Sequence, residues 1–214
     1  ALACKISEEF KIEGIVIEKR KPVQRSLKNR IKAIWDRYTF YQIYSSWLSL
    51  MSHYKQIFPE WPDAEKLSTE NINDAAILRF IKNKNPDLIL VSGTRILSKK
   101  FLAEVLPIAK IMNLHTGISP YVKGGPNCTN WCLANNTFHL IGNTIMWINE
   151  GIDSGNIITT ERTMFEGDET LTEIHFKVME HAHDLYLRAI RKAEKEPNLT
   201  GVNQEYIAEG KLFL

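Results

Sequence analysis

The sequence predicts an α/β domain with a Rossmann-like, mostly parallel sheet flanked by helices, and three observations predict it. The chain has 214 residues, 44% of them hydrophobic and 24% charged, which suits one soluble domain with a full core and argues against a disordered or fibrous chain. Leu88-Ile89-Leu90-Val91 is a continuous apolar run ending at Ser92-Gly93, as expected of a central strand buried on both faces. Amphipathic helical stretches alternate with such runs along the chain, the rhythm of helices laid on a parallel sheet.

The elements follow in order. Leu2 to Phe10 reads as a helix end and Gly14 to Ile17 as a short buried strand. A preceding strand is needed to complete that crossover unit, so residues ahead of Ala1 are expected to supply it. Basic residues crowd from Lys19 to Lys32 and read as a solvated face. Trp35, Tyr38, Phe40, Tyr41, Tyr44 and Trp47 read as an interhelical core. Pro59 and Pro62 mark a loop. Apolar spacing from Asn71 to Asn83 gives a helix stopped by Asn85-Pro86. Ser98 to Leu106 is a further helix and Ala109 to Leu114 a strand. Asn143 to Ile148 and Asn156 to Thr163 are two more strands, joined by a turn-rich segment. Thr170 and Glu173 form a capping box ahead of a long helix that Pro197 closes. Residues 1–196 are thus expected to form the main domain and 197–214 a tail or hairpin.

Several function classes are disfavoured. Lys plus Arg at 27 against Asp plus Glu at 25 gives a net charge of +2, too balanced for a protein built around phosphate backbones. No nucleic-acid partner is therefore expected. No stretch reaches the roughly 20 apolar residues that cross a bilayer. The cysteines, Cys4, Cys128 and Cys132, are odd in number, which favours a reducing compartment and a cytoplasmic location. Cys128 and Cys132 have no second ligand pair at zinc spacing, and His181 and His183 point to different sides of a helix, so no metal site is expected. Neither a phosphate-binding P-loop nor a Gly-x-Ser-x-Gly elbow is present.

Chemistry concentrates between Met112 and Gly155. Asn113 and His115 leave a strand end on one face while Leu114 points to the other. Gly117, Pro120, Tyr121, Gly124, Gly125 and Pro126 form a rigid loop, and Asp153-Ser154-Gly155 sits at the mouth of the following strand pair. The Asn113 side-chain amide and the His115 imidazole, beside the Asp153 carboxylate, suit attack of an amine on a carbonyl, because the donors can hold the oxygen that gains charge and the carboxylate can take a proton.

The ordered set Gly93-Thr94-Arg95-Ile96-Leu97, Asn113-Leu114-His115, Ser119-Pro120-Tyr121 with Gly124, Gly142-Asn143-Thr144-Ile145-Met146 and Gly151-Ile152-Asp153-Ser154-Gly155 resembles the folate-dependent formyltransferases over about Asn85 to Arg191. The resemblance implies transfer of a formyl group from 10-formyltetrahydrofolate to an amine, with Asn113, His115 and Asp153 as the catalytic triad. It implies that backbone groups of Arg95, Ile96 and Leu97, with the loop Asn149, Glu150, Gly151 to Asp153, hold the pterin ring. The expected amine substrate is a nucleotide-linked amino sugar. Glycinamide ribonucleotide is the alternative acceptor, and a formyltetrahydrofolate hydrolase or a non-catalytic folate-binding module are the other readings. Thr144-Ile145-Met146 is closest to the methionyl-tRNA enzymes, although the stretch after Asp153 is expected to be too short for their tRNA-holding domain. A homodimer is left open.

Overall fold

Helices and strands alternate from the first residues onward. The computed structural model describes every residue except 20–25, 125–126, 152, 208–210 and 214. Its elements are α1 (Leu2–Ser7), β1 (Ile15–Glu18), α2 (Leu27–Thr39), α3 (Tyr41–Ile57), β2 (Lys66–Thr69), α4 (Ala75–Lys84), β3 (Leu88–Ser92), α5 (Lys99–Val105), β4 (Lys110–His115), β5 (Val122–Gly124), α6 (Cys128–Ala134), β6 (Gly142–Trp147), β7 (Ile157–Arg162), α7 (Leu171–Lys195) and β8 (Lys211–Phe213). Arg20, Lys21 and Arg25 of the basic run, Gly125 and Pro126 of the loop, and Ile152 of the Gly151–Gly155 motif lie outside the described residues.

The strands form a four-stranded sheet ordered β3-β4-β6-β7 and two pairs, β1-β2 and β5-β8. Where a helix crosses over, neighbours are parallel: β1 with β2 and β3 with β4, Leu90 lying opposite Met112. β6 runs antiparallel to both β4 and β7; for β7 the short 148–156 turn can only send the chain straight back. The main sheet is therefore mixed, its parallel half carrying the apolar run read from the sequence.

Pleating divides the core into two layers. Met112 and Leu114 face α7, where they pack with Ile145, Ala182, Leu185, Tyr186 and Ala189. Ile111 faces the other way, onto Ile77 and Ile81 of α4 and Phe101, Leu102 and Val105 of α5. The capping box expected at the start of α7 is formed: Glu173 N–H donates to the Thr170 hydroxyl and the Glu173 carboxylate accepts the Thr170 N–H at 2.7 Å. Ser98 caps α5 by accepting the Phe101 N–H at 3.2 Å. Such a cap is typically worth about 1 kcal/mol. Tyr186 fixes α7 to the sheet, donating its hydroxyl proton to the Met112 carbonyl at 2.7 Å and accepting the Val91 N–H at 3.0 Å.

Two features differ from the sequence reading. β2 was not anticipated, because Lys66-Leu67-Ser68-Thr69 has no apolar run, only one half-buried leucine on an edge strand. The aromatic core expected between α2 and α3 is also absent. Trp35, Tyr38 and Tyr41 are 68%, 81% and 68% exposed, and α2 has no buried residue. Only one side of α3 reaches the core: Ser46 and Leu50 are buried, and the Ser46 hydroxyl lies 3.1 Å from that of Thr172 on α7. No helix among the described residues is long and apolar enough to cross a membrane.

Histidines under α3 give the fold a pH dependence. His183 is 5% exposed, and burial holds it down at about 4, below the usual imidazole value of 6.5. His175 is lowered by burial in the same direction. A histidine kept neutral in the fold binds fewer protons than it does unfolded, so its contribution is complete above pH 6.5 and is lost as pH falls towards 4. Chemical denaturation should show the protein losing about 2 kcal/mol between pH 7 and pH 5 from His183, a loss that His183→Gln should reduce. A flat profile over that window would contradict this account.

Candidate functional site

β4 delivers the first two groups. Alternation places Asn113 and His115 on the face opposite Leu114, as the sequence predicts, and at the carboxyl end of the strand. The third group, Asp153, comes from the turn after β6. It has a left-handed backbone with φ 45°, a conformation that aspartate tolerates better than most residues but that still costs energy. Gln204 holds it there: its buried side-chain amide donates to the carbonyls of Asp153 at 3.0 Å and Gly155 at 2.6 Å. Nothing in the sequence around Gln204 marks it for this task, since its partners are backbone atoms about 50 residues away.

The structure brings the three residues together. The Asn113 amide donates to Asp153 Oδ1 at 3.4 Å, and His115 Nδ1 lies 3.4 Å from Asp153 Oδ2. Gly124 N–H donates to the same Oδ2 at 2.9 Å. The other imidazole nitrogen, Nε2, lies 2.9 Å from the Val122 carbonyl, which can only accept. Both ring nitrogens thus face oxygen, and both contacts are satisfied only when each nitrogen carries a proton. The side chains of His115 and Asp153 are 7% and 14% exposed, so little water screens the pair.

Two glycines make this possible. A Cβ on Gly117 would lie 2.6 Å from His115 Nε2, so only glycine lets the chain pass beneath the ring. Gly124 has φ 89°, which turns its N–H towards Asp153 and would strain any other residue. The Gly142–Met146 motif supports the same loop. The Thr144 hydroxyl donates to the Gly117 carbonyl at 2.6 Å and accepts the Ser119 N–H at 3.0 Å, while the Asn143 amide donates to Val178 of α7 at 3.1 Å.

Arg95, Ile96 and Leu97 follow β3 and lie near the loop after β6. Leu97 and Ile148 pack on the same core cluster, and Lys99 reaches Glu150 at 3.1 Å. Asn149 shapes that loop, its side-chain oxygen accepting the Gly151 N–H at 2.9 Å and the Ser154 hydroxyl at 2.8 Å. The backbone of Arg95 is already engaged: its N–H donates to Glu18 at 3.1 Å and its carbonyl accepts from the Thr94 hydroxyl. Asn73 takes the Ile96 carbonyl at 3.1 Å. The Ile96 N–H and both backbone groups of Leu97 have no partner among the described residues. Among those residues, no group of three or more His, Cys, Asp or Glu could hold a metal ion.

Cys128 Sγ lies 4.0 Å from His115 Nε2, close enough to ask whether it is a nucleophile. It is not poised as one: burial, then the charge of Asp153, then Cys132 push its thiol up to about 12, and the thiolate is the reactive form. Alkylation by iodoacetamide at pH 8 should therefore modify half-buried Cys4 well before Cys128. Preferential labelling of Cys128, followed by peptide mass spectrometry, would contradict this reading.

Comparison with known proteins agrees with the geometry. The chain is 31% identical over 128 residues to methionyl-tRNA formyltransferase from Syntrophus aciditrophicus, covering 60% of this chain and 40% of that protein. It is 32% identical over 126 residues to the methionyl-tRNA formyltransferase of Clostridium acetobutylicum, covering 58% and 39%. The match thus spans about 40% of the length of these relatives. In fold it is similar to phosphoribosylglycinamide formyltransferase from Bacillus halodurans, with TM-score 0.62, 17% identity, and 93% and 91% of the two chains covered. It is also similar in fold to the formyltransferase PseJ from Anoxybacillus kamchatkensis, solved with UDP-4,6-dideoxy-4-formamido-L-AltNAc and tetrahydrofolate, with TM-score 0.57, 17% identity, and 94% and 84% covered. The family signature described as formyl transferase matches residues 48–190, a span that contains Asn113, His115 and Asp153, and the chain belongs to that family.

Proposed function

We propose that the protein transfers a formyl group from 10-formyltetrahydrofolate to a primary amine, with Asn113, His115 and Asp153 as the catalytic residues. The observation that carries this reading is the nearly buried Asp153 carboxylate set between the Asn113 amide and the His115 imidazole. Asn113 has a second amide proton to give to a carbonyl oxygen as that oxygen gains charge, and such a donor is worth roughly 100- to 1000-fold in rate. Asp153 Oδ2 is taken by His115 and Gly124, while Oδ1 accepts only the Asn113 amide and keeps a second lone pair for the proton the amine must lose. That transfer is worth about 100- to 10,000-fold. His115, bridged between Val122 and Asp153, holds the carboxylate in place.

The residues present suit the folate. Bound, it supplies the formyl carbon. A flat, hydrogen-bonding ring needs unpaired backbone groups beside apolar surface, and Leu97 offers both, next to Ile148 and the Asn149–Asp153 loop. Arg95 and Ile96 then act mainly by shaping the turn, held by Glu18 and Asn73.

For the acceptor we favour a nucleotide-linked amino sugar. Tyr121, 38% exposed, lies just ahead of the strand that carries Gly124 and offers a ring face on which a sugar or base can stack. Methionyl-tRNA is the second reading. It is favoured by the names of the relatives above and by α2, whose Lys28, Arg30 and Lys32 are exposed and could meet phosphates.

Formyl transfer assayed with 10-formyltetrahydrofolate and a panel of nucleotide amino sugars, glycinamide ribonucleotide and methionyl-tRNA separates these acceptors. Turnover of an amino sugar is expected; turnover of methionyl-tRNA alone would replace the first acceptor with the second. By calorimetry, Arg95→Ala should bind 5-formyltetrahydrofolate almost normally, whereas Leu97→Asp, which sets a charge in an apolar slot, should abolish binding. The reverse order would sink the folate assignment. Gly117→Ala should lower kcat by about 100-fold or more through displacement of His115 while leaving folate affinity nearly unchanged. A variant with normal kcat would show that the ring position is unimportant.

A further inference from the structure

We propose that α2 lies flat on a lipid bilayer with anionic headgroups, its apolar stripe sunk to the edge of the acyl chains. Leu27, Ile31, Ile34, Trp35 and Tyr38 recur at the three- and four-residue spacing of one helix face, and they are 62% to 81% exposed. Every residue of α2 is exposed except Ala33 and Asp36, which are partly buried. Those two stand on the opposite side of the helix, so α2 turns a polar side inward and its apolar side out.

That orientation is the reverse of what stabilises a helix in a folded domain. A short helix is marginal in water by itself and draws most of its stability from packing an apolar face. α2 has 13 residues and a cap at Ser26, whose hydroxyl accepts the Asn29 N–H, yet it buries none of its side chains. α3 begins two residues after α2 ends and repeats the pattern. Ser46 and Leu50 turn to the core, while Tyr41, Tyr44, Leu48 and Met51 share the outer side and are exposed. Apolar surface on this scale marks a site of interaction.

Charge decides what covers it. Helical spacing sets Lys28 and Lys32 along one flank of the stripe and Arg30 and Arg37 along the other, all four exposed. The single carboxylate of α2, Asp36, stands on the far side, and α3 has no acidic residue. Two copies meeting face to face would set these like charges against one another. A nucleic acid would meet the charges but offers no apolar surface to Leu27, Ile31 and Ile34. An anionic bilayer takes both. Basic groups reach the headgroups at the flanks, Trp35 and Tyr38 suit the interface, and the aliphatic side chains enter the acyl boundary. Attachment of this kind holds the protein to one face of a membrane and needs no helix long enough to cross it.

Sedimentation of the full chain with vesicles of phosphatidylcholine alone, or of phosphatidylcholine mixed with phosphatidylglycerol, tests this. The chain should bind the anionic vesicles at least about tenfold more tightly than the neutral ones. Ile34→Asp, and separately Lys28→Glu with Lys32→Glu, should each weaken that binding at least about tenfold, with Tm and affinity for 5-formyltetrahydrofolate unchanged. Should Ile34→Asp fail to fold, Ile31→Ser with Ile34→Ser makes the same comparison. No sedimentation with anionic vesicles overturns the proposal, as does parent-like binding by the apolar-face variant. Binding of bulk tRNA in place of vesicles, weakened by the Lys28 and Lys32 changes but not by Ile34→Asp, would assign α2 to RNA. A lipid-free dimer in analytical ultracentrifugation that Ile34→Asp dissociates would assign the face to a second copy.

Discussion

A carboxylate that is almost removed from water must be surrounded by donors, and the arrangement of this domain's functional end follows from meeting that demand at Asp153. Its two oxygens accept from the Asn113 amide and the Gly124 N–H and face the His115 ring. Loss of one such donor would leave a buried charge short of a partner, a cost of several kcal/mol. The donors come from β4 and β5, and the carboxylate itself from the turn after β6. The site therefore exists only when β4 and β6 are paired in register and the Gly117–Gly124 loop is folded back onto them.

The supporting residues divide that work. Thr144 pins the loop at Gly117 and Ser119, Asn143 ties β6 to α7, and Tyr186 ties α7 to β3 and β4. Gln204 holds the left-handed backbone of Asp153 from the segment that follows α7. Polar residues buried in a core are costly unless paired, and Thr144 and Gln204, both buried, find their partners in the Gly117–Ser119 loop and the Asp153–Gly155 turn. The Gly142–Met146 motif is thus a scaffold for the site.

Much of this was legible in the chain because the relevant signals are local. The run Leu88 to Val91 reads as a strand buried on both faces, Thr170 with Glu173 reads as a helix start, and the alternation through Asn113, Leu114 and His115 reads as two polar groups on one face. Signals that depend on distant partners were not legible. Gln204 looks like any polar residue, and the Val122 carbonyl that faces His115 has no side-chain signature at all. β2 escaped because an edge strand of Lys, Leu, Ser and Thr lacks periodic apolar content. The α2 and α3 aromatics misled for the opposite reason: their helical spacing implies burial, yet Trp35 and Tyr38 remain exposed because, among the described residues, only α3 packs appreciably on α2.

The central claim, that Asn113, His115 and Asp153 act as one unit on the formyl carbon's oxygen and the amine proton, is tested most directly by paired measurement of turnover and folate affinity in His115→Ala and Asp153→Asn. Both variants should lose about 100-fold or more of the formyl-transfer rate while binding 5-formyltetrahydrofolate nearly as the parent does. A variant that keeps more than roughly a tenth of the parent rate with folate binding intact would contradict the assignment.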